Sequence, residues 1–248
     1  MTRHASLLWR QVRAENRAFW RNPASAFFTF AFPLVFMVIL NVALASGGGE
    51  EALIFYTPAV IAFAVVNAGF TTLAMSITIA RDDGLLKRIH GTPLPTRTYL
   101  LARVIHSTTM GLVLTVIVAA FGAIVFGVAI PWSDLPIILV VLIVGAATFC
   151  AWGLAVAGLV PNSSAAPAVV NAIILPLLFV SNTFIRIEQG VLVTIGGFFP
   201  VRPFAQMLQA LWDPRLGTFE PTMLLWVAAW GVAGLLVAMR TFTWEPRA

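Results

Sequence analysis

The residues able to do chemistry are few, and their spacing does not suit catalysis. The one lysine, Lys87, follows Leu86 and precedes Arg88. No Gly-x-x-x-x-Gly-Lys run therefore exists to hold phosphates on backbone amides. His4, His90 and His106 are scattered, Cys150 stands alone in an apolar run, and no long apolar segment contains a carboxylate. Disulfide frameworks and multi-cysteine metal sites are thereby excluded; no metal site is expected, and the chain is not expected to be an enzyme by itself. An ion-driven carrier usually needs an ionisable group within the membrane, and the central turns of the apolar segments have none. The dense charge chemistry sits in one stretch, Arg81 to Arg103, which holds Asp82, Asp83, Lys87, Arg88 and Arg97.

Apolar segments must position that stretch. Of 248 residues, 60% are apolar and 10% charged, and the mean hydropathy is +0.93. Soluble domains run at about 45–50% apolar and about 25% charged, so a soluble enzyme, a disordered chain and a nucleic-acid-binding module are excluded. Crossing a roughly 30 Å hydrocarbon core takes about 20 mostly apolar helical residues. Six segments qualify: Ser25 to Ala45, Leu53 to Ala80, Val104 to Ile130, Leu135 to Val160, Ala165 to Ile185 and Met223 to Met239. Val191 to Trp212 is apolar too, but Gly196, Gly197, Pro200, Arg202 and Pro203 break it. Each half is too short to cross, so a re-entrant pair in the outer leaflet is expected, under helices that cover its broken backbone.

Charge sets the expected orientation. Arg3, Arg10, Arg13, Arg17 and Arg21, then Arg81, Lys87, Arg88, Arg97 and Arg103, then Arg240 and Arg247 fall on one side, with acids Glu15, Asp82, Asp83 and Glu245. The other side holds Arg186, Arg202 and Arg215 against Glu50, Glu51, Asp134, Glu188, Asp213 and Glu220. Basic residues collect in the cytoplasm, so both termini are expected there, in a plasma (inner) membrane, with an even number of spans. The net charge of +5 reads as a topology signal and not as a nucleic-acid footprint.

Ahead of the first span, Ala5, Leu8, Trp9, Val12, Phe19 and Trp20 share one arc of a helical wheel beside the five arginines. That pattern suits a helix lying in the interface, which Asn22-Pro23 then turns into the membrane. The expected fold is one all-α integral membrane domain over 1–248. It comprises an interfacial elbow helix at 3–22, spans one to five at 25–185, an external re-entrant segment at 186–222 and span six at 223–240. Within the charged stretch, Asp82 and Asp83 suit a helix N-terminus. Gly84 to His90 allows about two turns, with Leu85, Leu86 and Ile89 on one side, before Gly91, Pro93 and Pro95 end it. Thr96 is expected to cap the third span. A lever that passes force into the bilayer and a solvated loop both fit those residues.

The run from Arg81-Asp82-Asp83-Gly84-Leu85-Leu86-Lys87-Arg88-Ile89-His90 to Gly91-Thr92-Pro93-Leu94-Pro95, after an elbow and two spans, resembles the permease subunits of type-2 ABC exporters. Leu177 to Ile185 and the broken segment behind it resemble that family's fifth span and external helices. The resemblance covers essentially the whole chain and is closest to the drug-resistance branch, of the daunorubicin-exporter kind. It implies a coupling helix, with Asp82, Asp83, Gly84, Leu85, Leu86, Lys87, Arg88, Ile89, Thr92 and Pro93 contacting a separate nucleotide-binding ATPase. It further implies two such ATPase subunits, a second permease (identical or homologous), and ATP and Mg held by the partner, with no cofactor on this chain. The cargo would be hydrophobic or amphipathic, a drug, antibiotic or lipid. The family often has Glu and Arg where Arg81 and Asp82 stand. A carrier or channel working without an ATPase, and an exporter of lipid-linked glycan, are the alternatives.

Small and weakly polar stripes complete the inventory. Ser107, Gly111 and Thr115 in span three, and Gly153 and Ala157 in span four, suit close helix packing. In spans two and five amides join the stripe. Asn67 and Thr71, and Asn171 and Asn182, are candidates for a translocation path or a subunit seam. Arg186 and Glu188, close in sequence on the external segment, are with Arg202 the candidate outer gate.

Overall fold

The computed structural model describes residues 3–91, 94–181, 183 and 190–242. Every regular element among them is helical, as expected of an all-α integral membrane protein. Helix α1, Arg3–Trp20, covers the expected elbow. It rests on the bundle through Phe19, whose ring meets Phe30 at 6.0 Å and His106 at 5.8 Å. Trp9 and Trp20 remain exposed.

Helix α2 runs from Pro23 to Val66, yet the rings of Phe36 and Phe63 lie 5.6 Å apart. A straight helix would separate those residues by about 40 Å at 1.5 Å per residue. Met37 and Thr57 both lie against Gly122 as well. The chain therefore reverses between them, across a stretch that holds Gly47-Gly48-Gly49, and the first two expected spans pack antiparallel. The second continues through a π-helical turn, Asn67–Thr72, into α3, Leu73–Asp82. Then come α4, Leu85–His90, α5, Thr96–Phe126, α6, Leu135–Leu159, and α7, Ala166–Val180. The chain closes with α8, Val191–Phe198, α9, Val201–Trp212, and α10, Pro221–Thr241.

Among the described residues, four helices are long and apolar enough to cross a membrane: Leu53–Asp82, Arg97–Phe126, Leu135–Leu159 and Pro221–Thr241. The apolar helices over the first and fifth expected spans, Thr29–Val42 and Ala166–Val180, are shorter. Helix α7 stops where expected span five continues, because Ser181 turns the chain: its Oγ bonds the Leu178 carbonyl and the Thr183 hydroxyl. Helices α8 and α9 meet at a bend of 94°, at Phe199-Pro200. They are about 12 and 18 Å long, and neither matches a roughly 30 Å core alone.

Helix α6 is the hub. A Cβ on Gly153 would sit 2.7 Å from the Gly69 carbonyl oxygen, and one on Gly158 2.7 Å from Thr241. Only hydrogen side chains let these backbones approach so closely. Helix α10 runs parallel to α6: Thr148 Oγ1 donates to Val227 O at 3.0 Å, Trp152 Nε1 to Trp230 O at 2.9 Å, and Thr241 Oγ1 to Ala155 O at 3.2 Å. The last turn of α10 thus lies beside the last turns of α6. Arg81 at the end of α3 meets those turns too, and Arg103 in α5 binds both Ser76 of α3 and Glu15 of α1. The described chain therefore begins and ends at one end of the bundle, called here the basic end. At the opposite end, Leu53, Phe126 to Ala129, Trp212, Asp213 and Arg215 surround one cavity of about 150 Å³. Val180 meets Arg202 there as well, so the chain enters α8–α9 and leaves it at that same end.

Two expected caps fall elsewhere. Gly84, at φ 69°, precedes α4, and Pro95 precedes α5 in place of Thr96. Asp83 instead closes α3, its N–H bonding Ile79 O while Gly84 N–H bonds Arg81 O. That left-handed glycine satisfies the end of α3, so no carboxylate is drawn onto the start of α4.

Candidate functional site

At the basic end, α4 protrudes as a helix of six residues. Its two leucines part company. Leu86 is 0% exposed and packs with Leu73, Ile77, Tyr99, Leu154 and Ala238, whereas Leu85 is 42% exposed. Asp83, Lys87 and Arg88 are also exposed and Ile89 half-buried. The expected apolar side formed by Leu85, Leu86 and Ile89 is thus divided, because Leu86 is consumed by the core. What α4 presents is Leu85 beside the cations Lys87 and Arg88, with the carboxylate of Asp83 just ahead of it. Thr92 and Pro93 lie outside the described residues.

Directly before it, the side chain of Arg81 is spent inside the bundle. At 1% exposure, Nη1 donates to Ala157 O at 3.0 Å, and Nη2 to Val160 O at 2.8 Å and Pro161 O at 3.2 Å. These carbonyls surround the C-terminus of α6, where helical acceptors lack partners and a cation complements the dipole. Asp82 turns the same way and accepts from the Ser163 N–H. The remaining Arg81 Nε and Asp82 Oδ1 face each other at 3.5 Å. Asp82 therefore belongs to the α6–α7 turn, apart from the exposed face of α4.

A second polar knot joins α1 to the same region. Arg103 Nε lies 3.2 Å from Glu15 Oε1, and its guanidinium donates to the Tyr99 hydroxyl at 2.9 Å and Ser76 Oγ at 3.4 Å. Gln11 Nε2 donates to the same Glu15 oxygen at 2.8 Å.

Asn67 and Thr71 both fall on the π-helical turn, half-buried beside the fully packed Ala68, Gly69 and Phe70. Such turns widen the backbone locally and occur often at functional sites. Asn171 lies elsewhere. Helix α7 packs into the bundle through Ala166, Val170, Ile174 and Leu178, and Asn171 belongs with Ala168 and Leu175 on its exposed side. Asn182 is outside the described residues, as are Arg186 and Glu188 of the expected outer gate. Arg202, the third member of that gate, is 4% exposed and donates to Val180 O at 3.2 Å.

Sequence reasoning passed over the knots built on Arg81 and Arg103. An arginine at the very end of an apolar span was the available signal, but its acceptors are backbone carbonyls far along the chain. Among the described residues no three His, Cys, Asp or Glu side chains are grouped to hold a metal ion. Compared with known families, residues 6–212 match the model described as ABC-2 type transporter. No curated protein matches the chain.

Proposed function

The chain belongs to the ABC-2 type transporter family, a family of membrane transport permeases, and from that premise we propose that it is the permease half of an ATP-driven exporter. Energy comes from a separate ATPase subunit that docks on α4. Two permeases and two ATPases make the working unit, and ATP with Mg is bound by the ATPases. The cargo is a hydrophobic or amphipathic molecule, of the drug or lipid kind that the drug-resistance branch would move. The membrane is the plasma membrane, and the basic end is cytoplasmic, as its excess of arginine favours. Six passages, with α1 as an interfacial elbow and α8–α9 as an external re-entrant pair, account for the described chain beginning and ending at the basic end.

One observation carries this reading. A short helix is anchored by the buried Leu86 yet offers Leu85, Lys87 and Arg88 to solvent at the end of a 30-residue span. A helix so rooted transmits a push, whereas a solvated loop would yield to it. For the cargo route, Asn67 and Thr71 on the π turn are the residues of choice, and exposed Asn171 suits the seam with the second permease.

The decisive experiment purifies the detergent-extracted chain and assays ATPase activity in whatever accompanies it. A nucleotide-binding subunit retained by the native chain and lost from Leu85→Asp is the expected result. Purification of the chain alone, with flux in vesicles lacking ATP, would overturn the reading in favour of a channel or carrier.

A further inference from the structure

We infer that Arg81 and Asp82 are positioning residues that carry movement of α4 into α7, so that α7 works as a rod held at both ends. The inference rests on the exporter reading for the origin of the push, but its geometry is independent of it.

Three contacts compose the linkage. Helix α4 follows α3 after Asp83 and Gly84 alone, and Leu86 packs against Leu73 and Ile77 of α3, so the two move together. From the end of α3, Arg81 and Asp82 grip Val160, Pro161 and Ser163, the residues that lead into α7. The turn is itself tied: Asn162 Oδ1 accepts from Ser164 Oγ at 2.8 Å and from the Ala165 N–H at 2.9 Å. No slack segment separates the grip from Ala166, where α7 starts. At the far end Arg202 holds the Val180 carbonyl, and Gly196 lies against the same oxygen. Between these holds, Ala168, Asn171 and Leu175 are exposed, so among the described residues one side of α7 is left outside the packed bundle. Coupling that runs through contiguous hydrogen bonds and rigid helices needs an element able to shift, and α7 is the helix so placed.

The test uses spin labels in a Cys150→Ala background. Labels on Ala172 in α7 and Leu236 in α10, both exposed, report α7 against the α6–α10 pair. In the complex with the ATPase, ATP plus vanadate is expected to shift that distance by about 2 Å or more, the scale of helix displacements at packed interfaces. Asp82→Ala abolishes the shift while ATP hydrolysis persists, and Asp82→Asn, which still accepts from Ser163, retains it. No shift in the native complex, or an undiminished shift in Asp82→Ala, overturns the inference. If Asp82→Ala does not accumulate, a Gly-Gly insertion after Ser164 introduces slack and leaves the Arg81 grip in place; it is expected to abolish the shift, and an intact shift overturns the inference. A second label pair, Ile79 and Ala172, is read on the permease alone in nanodiscs. Its distance distribution broadens in Asp82→Ala if the grip exists and stays unchanged if it does not. Because that readout needs no ATPase, absence of an ATPase partner defeats the exporter reading without deciding this one.

Discussion

Arg81 and Arg202 are buried arginines at opposite ends of the bundle, and each binds carbonyl oxygen at the C-terminal end of a helix. Their settings differ. Arg81 ends a 30-residue apolar span, binds three carbonyls around the end of α6, and has Asp82 beside it. Arg202 is the second residue of a 12-residue helix that follows a 94° bend, and it holds the end of α7. The same guanidinium chemistry therefore staples a helix end in both places, but only at the basic end does it adjoin an exposed charged helix. Under the proposed coupling, the basic end would receive a force and the opposite end would brace against it.

The largest effects should come from the leucines of α4. Leu86→Asp places a carboxylate in the cluster of Leu73, Tyr99 and Leu154 and should cost about 5 kcal/mol or more, from the lost packing and the buried charge. Size-exclusion profiles after heating should show collapse. Leu85→Asp, on the exposed side, should melt within about 0.5 kcal/mol of the native chain and lose only the ATPase. Equal melting of the two would erase the inward–outward distinction.

Arg81→Met and Arg202→Met compare the two ends directly. The first leaves three carbonyls unpaired and Asp82 Oδ1 without its counter-ion, and should cost about 3–5 kcal/mol, as breaking buried ion pairs does. The second removes the donor to Val180 O and should cost about 1–3 kcal/mol. Thermal melts in one detergent would rank them, and the reverse order would show that the opposite end is the stronger brace.

Gly84→Ala is a subtler probe. Nothing lies within 4 Å of the added Cβ, but φ is 69°, so the cost is backbone strain of about 1–2 kcal/mol. It should bend the joint between α3 and α4 and weaken ATPase retention more than it lowers the melting temperature.

The smallest effect belongs to Asp213 at the opposite end. Side-chain and backbone hydrogen bonds from Arg215 hold its carboxyl below the usual range. A depressed carboxyl stabilises the fold above its unfolded value, near pH 3.9, and that contribution is lost as pH falls through the lower folded value. Arg215→Gln should therefore lower the melting temperature slightly at pH 7, and the difference should vanish in strong acid.

How far the sequence could be read varied by residue. The helix over residues 3–20 and the bend at Phe199-Pro200 lie where arginine spacing and Pro200 placed them, since amphipathicity and proline act locally. Two turns between Gly84 and Gly91 were equally legible. Which leucine of that helix faces inward was not, because six residues supply no periodicity to separate Leu85 from Leu86. The π turn at Asn67–Thr72 carries no sequence mark, being set by how the span fits against Gly153 of α6.

Hydrophobicity and charge add up along a chain without reference to its partners, so the sequence by itself determined a multi-pass helical membrane protein with one basic end. Where Arg81 and Arg202 spend their donors was decided by tertiary structure alone. Their acceptors are backbone carbonyls, chemically alike at every residue, and only the packing of α6 and α7 leaves particular ones unpaired within reach.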